Sequence, residues 1–221
     1  MNNTKKKSPI SWVPTAYFAM GLPFVVLNMV TVLMFKGLEV DDKLITFWTS
    51  LILLPWTLKP LWSPFLELFR TKKFFVIVTQ LITGITFGLV AFALNLSHFF
   101  SISIALLAIV AFSGATHDIA CDGVYMSELS NEDQARFIGW QGAFYNIAKI
   151  LATGGLVYLA GYFIELNADA GLLTANKRAW MIILLILSVT MILLGIYHLF
   201  ALPSTQSASS RKTLRSNKEV M

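Results

Sequence analysis

Cysteine occurs once in 221 residues, at Cys121. A lone cysteine excludes an intramolecular disulfide framework and a cysteine-based zinc motif. Inside an apolar segment it reads as a small packing residue. Charge is also scarce: 13% of residues are Asp, Glu, Lys or Arg, against about 25% in a soluble domain. The three histidines, His98, His117 and His198, are too scattered to define a metal site. No phosphate loop, dinucleotide fingerprint or nucleophile triad is present, so neither an enzyme nor a cofactor is expected. The net charge of +5 does not imply nucleic acid, because the basic residues gather at the ends of apolar segments.

What the chain has in abundance is apolar length. It is 56% hydrophobic, with mean hydropathy +0.68. Six segments of at least about 20 residues stand out, each long enough to cross a bilayer as a helix. They run at about 12–36, 44–66, 74–94, 101–126, 137–164 and 179–202. Only helices and closed barrels satisfy their backbone groups in lipid, and these segments are too long and too apolar for strands. The fold expected is therefore an all-α membrane bundle over residues 11–203. Prolines within spans, such as Pro23 and Pro60, are tolerated where neighbours satisfy the freed backbone groups. The third and sixth spans are the most uniformly apolar and are expected to face lipid. Polar loops are expected at 127–136 and 165–178. Residues 1–10 read as a cytoplasmic N-terminal segment. The run from Trp12 is long and lacks a small-residue cleavage site, which marks an uncleaved first span. Residues 204–221 form a Ser-rich basic tail or linker.

Orientation follows from the basic residues. One side carries eleven: Lys5, Lys6, Lys7, Arg70, Lys72, Lys73, Arg136, Arg211, Lys212, Arg215 and Lys218. The other carries four, Lys36, Lys43, Lys177 and Arg178, while Lys59 and Lys149 lie within spans. The positive-inside rule puts both termini in the cytoplasm. The three-plus-three division of spans matches the inverted repeats of secondary transporters, although any six-span chain divides that way.

Against this apolar background, two acids in the fourth span stand out. Asp118 and Asp122 are four residues apart, so a helix puts them on one face about 6 Å apart. Carboxylates within a span are costly and mark interior or water-filled paths. Two so close in a low dielectric resist ionising together, which makes the pair a candidate proton carrier. Polar stripes accompany them: Tyr17, Gly21, Asn28 and Thr31 on the first span, Tyr125 on the fourth, and Gln141, Tyr145, Asn146 and Lys149 on the fifth. For the neutral members, hydrogen bonding between packed helices competes with function; for the ionisable ones, glue is a poor explanation. At 1.5 Å per residue, Asp118 lies about 12 Å from its cytoplasmic helix end, Lys149 about 18 Å from its own, and Lys59 about 10 Å deep. A Lys149–Asp118 pair is feasible. Lys59 is level with the aspartates, with snorkelling to the interface as the competing reading. His117 points about 100° away from Asp118; a proton role competes with a hydrogen-bonded packing role.

The sequence resembles the N-terminal half of the AmpG-type permeases of the major facilitator superfamily, in the form found in Bacteroidetes. The landmarks are Tyr-Phe-Ala-Met-Gly-Leu-Pro at 17–23, Leu-Pro-Trp-Thr-Leu-Lys-Pro-Leu-Trp-Ser-Pro at 54–64 and Ala-Thr-His-Asp-Ile-Ala-Cys-Asp-Gly at 115–123. The resemblance implies a proton-driven importer of muropeptides, the cell-wall sugar–peptide fragments recycled from periplasm to cytoplasm across the inner membrane. It also implies a twelve-helix fold of two six-helix halves, with the first and fourth helices of each half lining the path. Relatives include acetyl-CoA transporters, so kinship of fold does not fix the substrate.

Two departures from that pattern bear on function. Relatives tend to carry arginine near position 141 and Tyr-Arg at 145–146, where this chain has Gln141, Tyr145 and Asn146; its positive charge lies instead on Lys149. The cytoplasmic gate loop after the second span is represented by Glu67 and Arg70, with Lys72 and Lys73. The chain also covers one half of the expected fold. It is read as a fragment ahead of a subunit pairing with a separately made half, or a homodimer. The partners expected are the lipid bilayer, a small-molecule substrate and a second six-helix half. The competing expectation is a non-transporting membrane interaction module.

Overall fold

The computed structural model describes residues 7–69 and 71–203, with the backbone alone for 67–69. Arg70, the side chain of Glu67 and the tail from residue 204 lie outside the described residues, so the gate-loop reading does too. The described chain is helical throughout its regular structure, and six helices are long and apolar enough to cross a membrane. They are α1 (Pro9–Gly37), α2 (Asp42–Leu61), α3 (Lys72–Ala93), α4 (Phe99–Glu128), α5 (Asn131–Leu166) and α6 (Leu172–Ala201). A short helix, Ser63–Phe69, follows α2.

Local chemistry sets the boundaries. Asp41 accepts hydrogen bonds from the amides of Lys43 and Leu44 and caps α2. Thr71 caps α3 through the Phe74 amide. Ser130 caps α5 through the Asp133 amide. Each satisfies amides that the first helical turn leaves without partners. These caps lengthen the helices beyond the apolar runs. The polar stretch 127–136 is mostly helix, broken only around Leu129 and Ser130, and α6 begins at Leu172, inside the expected loop. Hydropathy marks what lies in lipid, whereas caps mark where the backbone turns.

Three helices carry faults. In α2 the α-helix stops at Ile52, resumes over Leu54–Leu58 and tightens to a 3₁₀ turn at Lys59–Leu61, in step with Pro55 and Pro60. α1 passes Pro23 and widens to a π turn at Val26–Val30; α5 does the same at Leu151–Leu156, and the two π turns touch.

Packing departs from the reading of lipid-facing spans. α3 lies between α4 and α6 and 56% of its apolar window is buried; for α6 the share is 44%. The least covered helices are α2, at 11%, and α5, at 17%. Uniform apolarity does not distinguish a lipid-facing helix from one packed among helices, since both surroundings are apolar. In α3, α4 and α6 a polar layer separates two apolar cores. One core holds Phe87, Leu107, Ile183 and Leu187; the other holds Val76, Ala120, Val124 and Leu202. Between them lie Gln80, Thr83, Ser113, His117, Asp118 and His198, all buried.

Candidate charged cluster

Asp118 is 8% exposed and receives two donors on the same oxygen. Lys59 Nζ lies 2.6 Å from Oδ2, and Trp56 Nε1 donates to it at 2.9 Å. Oδ1 is buried and has no partner among the described residues. Both donors come from the faulted stretch of α2, where Trp56 and Lys59 are three residues apart and so share a helix face. Gly114, one turn before Asp118, makes the approach possible: a Cβ there would stand 2.9 Å from the Trp56 ring. Phe24 of α1 meets the same indole edge-on, at 5.2 Å between ring centres.

Asp122 has a different setting. It is exposed, and Tyr17 of α1 donates to its Oδ1 at 2.8 Å. Gln141 of α5 donates to the Tyr17 oxygen at 2.8 Å. Tyr125 packs edge-on against Tyr17, and its hydroxyl donates to the Gln134 carbonyl at the start of α5. Below this bridge α1 and α5 come close at Gly21, where a Cβ would stand 2.8 Å from the Tyr145 carbonyl oxygen. The two acids on one helix face are thus held by different helices. The buried one is ion-paired with α2, and the exposed one is hydrogen-bonded to α1 and through it to α5.

The remaining candidates divide clearly. Lys59 reaches Asp118, with its side chain 27% exposed. Lys149 does not reach the aspartates; its ammonium lies 5.7 Å from the centre of the Tyr145 ring, a cation–π distance. Asn146 donates to the Gly142 carbonyl on its own helix. Asn28 is exposed, within the π turn of α1.

His117 faces away from the aspartates into the polar layer. Its Nε2 lies 2.9 Å from the Gln80 side-chain nitrogen, and the Gln80 oxygen lies 2.9 Å from His198 Nδ1. His198 Nε2 lies 2.9 Å from the Thr15 hydroxyl. With the Gln80 nitrogen donating to His117 and its oxygen accepting from His198, the free His198 nitrogen accepts from Thr15. His117 then carries its proton on Nδ1, which is buried without a partner among the described residues. One chain of side chains therefore crosses α4, α3, α6 and α1.

Trp56, Gln80, His198 and Thr15 are not among the site residues expected from sequence. Trp56 had a signal, since it shares a face with Lys59. Gln80 had one as the lone amide in an otherwise apolar span. His198 near a helix end had none that sequence could supply.

Two concave apolar spaces on the surface lie away from the cluster. One of about 340 Å³ is lined by Trp48, Leu51 and Ile52 of α2 and by Phe100, Ile104 and Ala108 of α4. Another, of about 530 Å³, lies along Val78, Ile82, Ile109 and Phe112. Neither includes a member of the charged cluster. Among the described residues, no three His, Cys, Asp or Glu side chains converge as a metal site would require.

Fold and cluster together point to a class: the described residues form a helical chain with six helices long and apolar enough to cross a membrane and a part-buried acid–lysine pair between them. The chain matches no protein family, no curated protein and no solved structure.

Proposed function

We propose that this chain forms half of a proton-coupled transporter of the major facilitator type. In this reading it serves the uptake of a cell-wall-derived sugar or glycopeptide across the bacterial inner membrane, with both termini in the cytoplasm. One observation carries the reading: Asp118, Asp122, Lys59, Tyr17 and Gln141 gather where α1 and α4 meet α2 and α5, the two least-covered helices. Ionisable groups at such depth are expensive, and carrying protons or ions is what commonly justifies them. The two acids differ in burial and in partners, so they respond differently to a proton. The exposed faces of α2 and α5 offer room for a second six-helix bundle to complete a path. The same uncovered faces favour a second reading, a membrane subunit that binds a partner without transporting.

The test is uptake of labelled anhydro-muropeptide by cells that make this chain together with a second six-helix half, with and without a protonophore. Asp118→Asn and Asp122→Asn are each expected to reduce uptake to the level of cells lacking the chain. Unchanged uptake and unchanged pH dependence in both variants would sink the proposal. A transport-free subunit is recognised by uptake that ignores all of these changes while the chain remains in the membrane.

A further inference from the structure

The bundle divides unevenly into well-fastened helices and one loosely held helix. α1, α3, α4 and α6 share the chain Thr15–His198–Gln80–His117, whose middle members are wholly buried. Ser113 of α4 adds a hydrogen bond to the Thr79 carbonyl of α3. α5 packs along α1 at glycine distance and carries the Gln141–Tyr17 bond. α2 places Ile45 and Ile52 in the apolar core but has no comparable polar support. Its apolar window is 11% buried. Around its middle, at Trp48, Leu51 and Ile52, it stands off from α4 across the apolar groove of about 340 Å³. At membrane depth its side-chain hydrogen bonds to other helices, among the described residues, both end on one atom, Asp118 Oδ2. Its backbone is interrupted beside that contact, at Leu53 and again over Lys59–Leu61.

We propose that α2 is a movable helix, latched to an otherwise fixed body by the Asp118 carboxylate. The groove between Trp48 and Ile104 is the space into which α2 swings, and the proline-linked interruptions are where it bends. The latch holds while Asp118 is charged, because Lys59 and Trp56 then share a full negative charge in a poorly solvated place. Neutralising the acid leaves two weakened donors and an ammonium with reason to leave for water. The other groups around Asp118 that can carry charge are Tyr17 on α1, Tyr145 on α5, and His117, Cys121 and Asp122 on α4 itself. The lysine that offsets Asp118 is the one on the moving part, so charge and position of α2 are tied together.

The transporter reading supplies the purpose of this motion but not its measurement. The full chain, with Cys121→Ser, is placed in lipid nanodiscs and spin-labelled in two pairs. Ser50→Cys with Ile85→Cys reports α2 against α3; Ile85→Cys with Val189→Cys reports α3 against α6. Asp118→Asn is expected to shift or spread the first distance by about 2–5 Å, the scale of helix shifts in switching proteins, and to leave the second unchanged. Lys59→Gln removes the other half of the latch and must do the same; it carries the test if Asp118→Asn does not fold. An α2–α3 distance unmoved by the change, or both pairs moving together, overturns the proposal. Motion in a chain with no part in uptake would leave the latch standing without the transporter. Uptake without motion would do the reverse.

Discussion

Lys59 and Asp118 meet at 2.6 Å through a single carboxylate oxygen, while the other oxygen, Oδ1, is buried without a partner among the described residues. A one-sided ion pair of this kind has little redundancy. Removing the lysine leaves a buried carboxylate with only the Trp56 indole as donor.

Lys59→Met should therefore destabilise the chain by about 3 kcal/mol, the scale for breaking a buried pair from one side. Lys59→Met combined with Asp118→Asn should recover most of that loss, because the uncompensated charge disappears with it. Thermal unfolding in detergent, run as a double-mutant cycle, checks both. Equal stability of the single and double variants would show that the pair carries no net charge coupling.

Glycine positions on neighbouring faces should behave in opposite ways. Gly21→Val places a side chain against the Tyr145 backbone carbonyl and must push α1 and α5 apart. Gly139 of α5 has nothing within 4 Å of where a Cβ would lie. Gly139→Ala should gain about 0.5–1 kcal/mol from helix propensity. The measurement is the difference in Tm of the two variants, expected to be opposite in sign.

Gln80→Leu keeps the apolar character of α3 but strands two imidazoles. Each buried group left without its partner costs about 1–3 kcal/mol. The loss should exceed that from Tyr17→Phe, which removes hydroxyl contacts to an exposed carboxylate and to Gln141. Equilibrium unfolding of both variants against the parent chain orders them; a neutral Gln80→Leu would mean that the His117–Gln80–His198 chain is not formed.

Tyr17→Phe should disconnect Asp122 from α5 without touching Asp118, since among the described residues the two acids share no hydrogen-bond partner. In a cycle with Lys59→Met, the losses should couple by no more than about 1 kcal/mol, the charge interaction of two acids one helical turn apart. Strong coupling between them would place both acids in one network instead of two.

Much of this arrangement was visible before any coordinates. The six helices follow from apolar length, and the shared face of Asp118 and Asp122 follows from a spacing of four. Lys59 was legible as a residue at matching depth, though a Lys149–Asp118 pair also looked feasible. Depth alone could not choose between them, because it is one coordinate of three. The chain from His117 to Thr15 was not legible, since its members lie as many as 183 positions apart. Nor was the exposure of α2 and α5, because hydropathy reads lipid and protein surroundings alike.

The sequence by itself determined the class of molecule and the angular place of each polar residue on its own helix. Those properties depend on composition and on 3.6 residues per turn. Tertiary structure alone decided which lysine met Asp118, why Asp122 stayed exposed, and that His117 turned toward Gln80. Those outcomes depend on how each helix is rotated and how close its neighbours come. Glycine contacts such as Gly21 with Tyr145 and Gly114 with Trp56 set these at a distance in the chain that no local pattern reports.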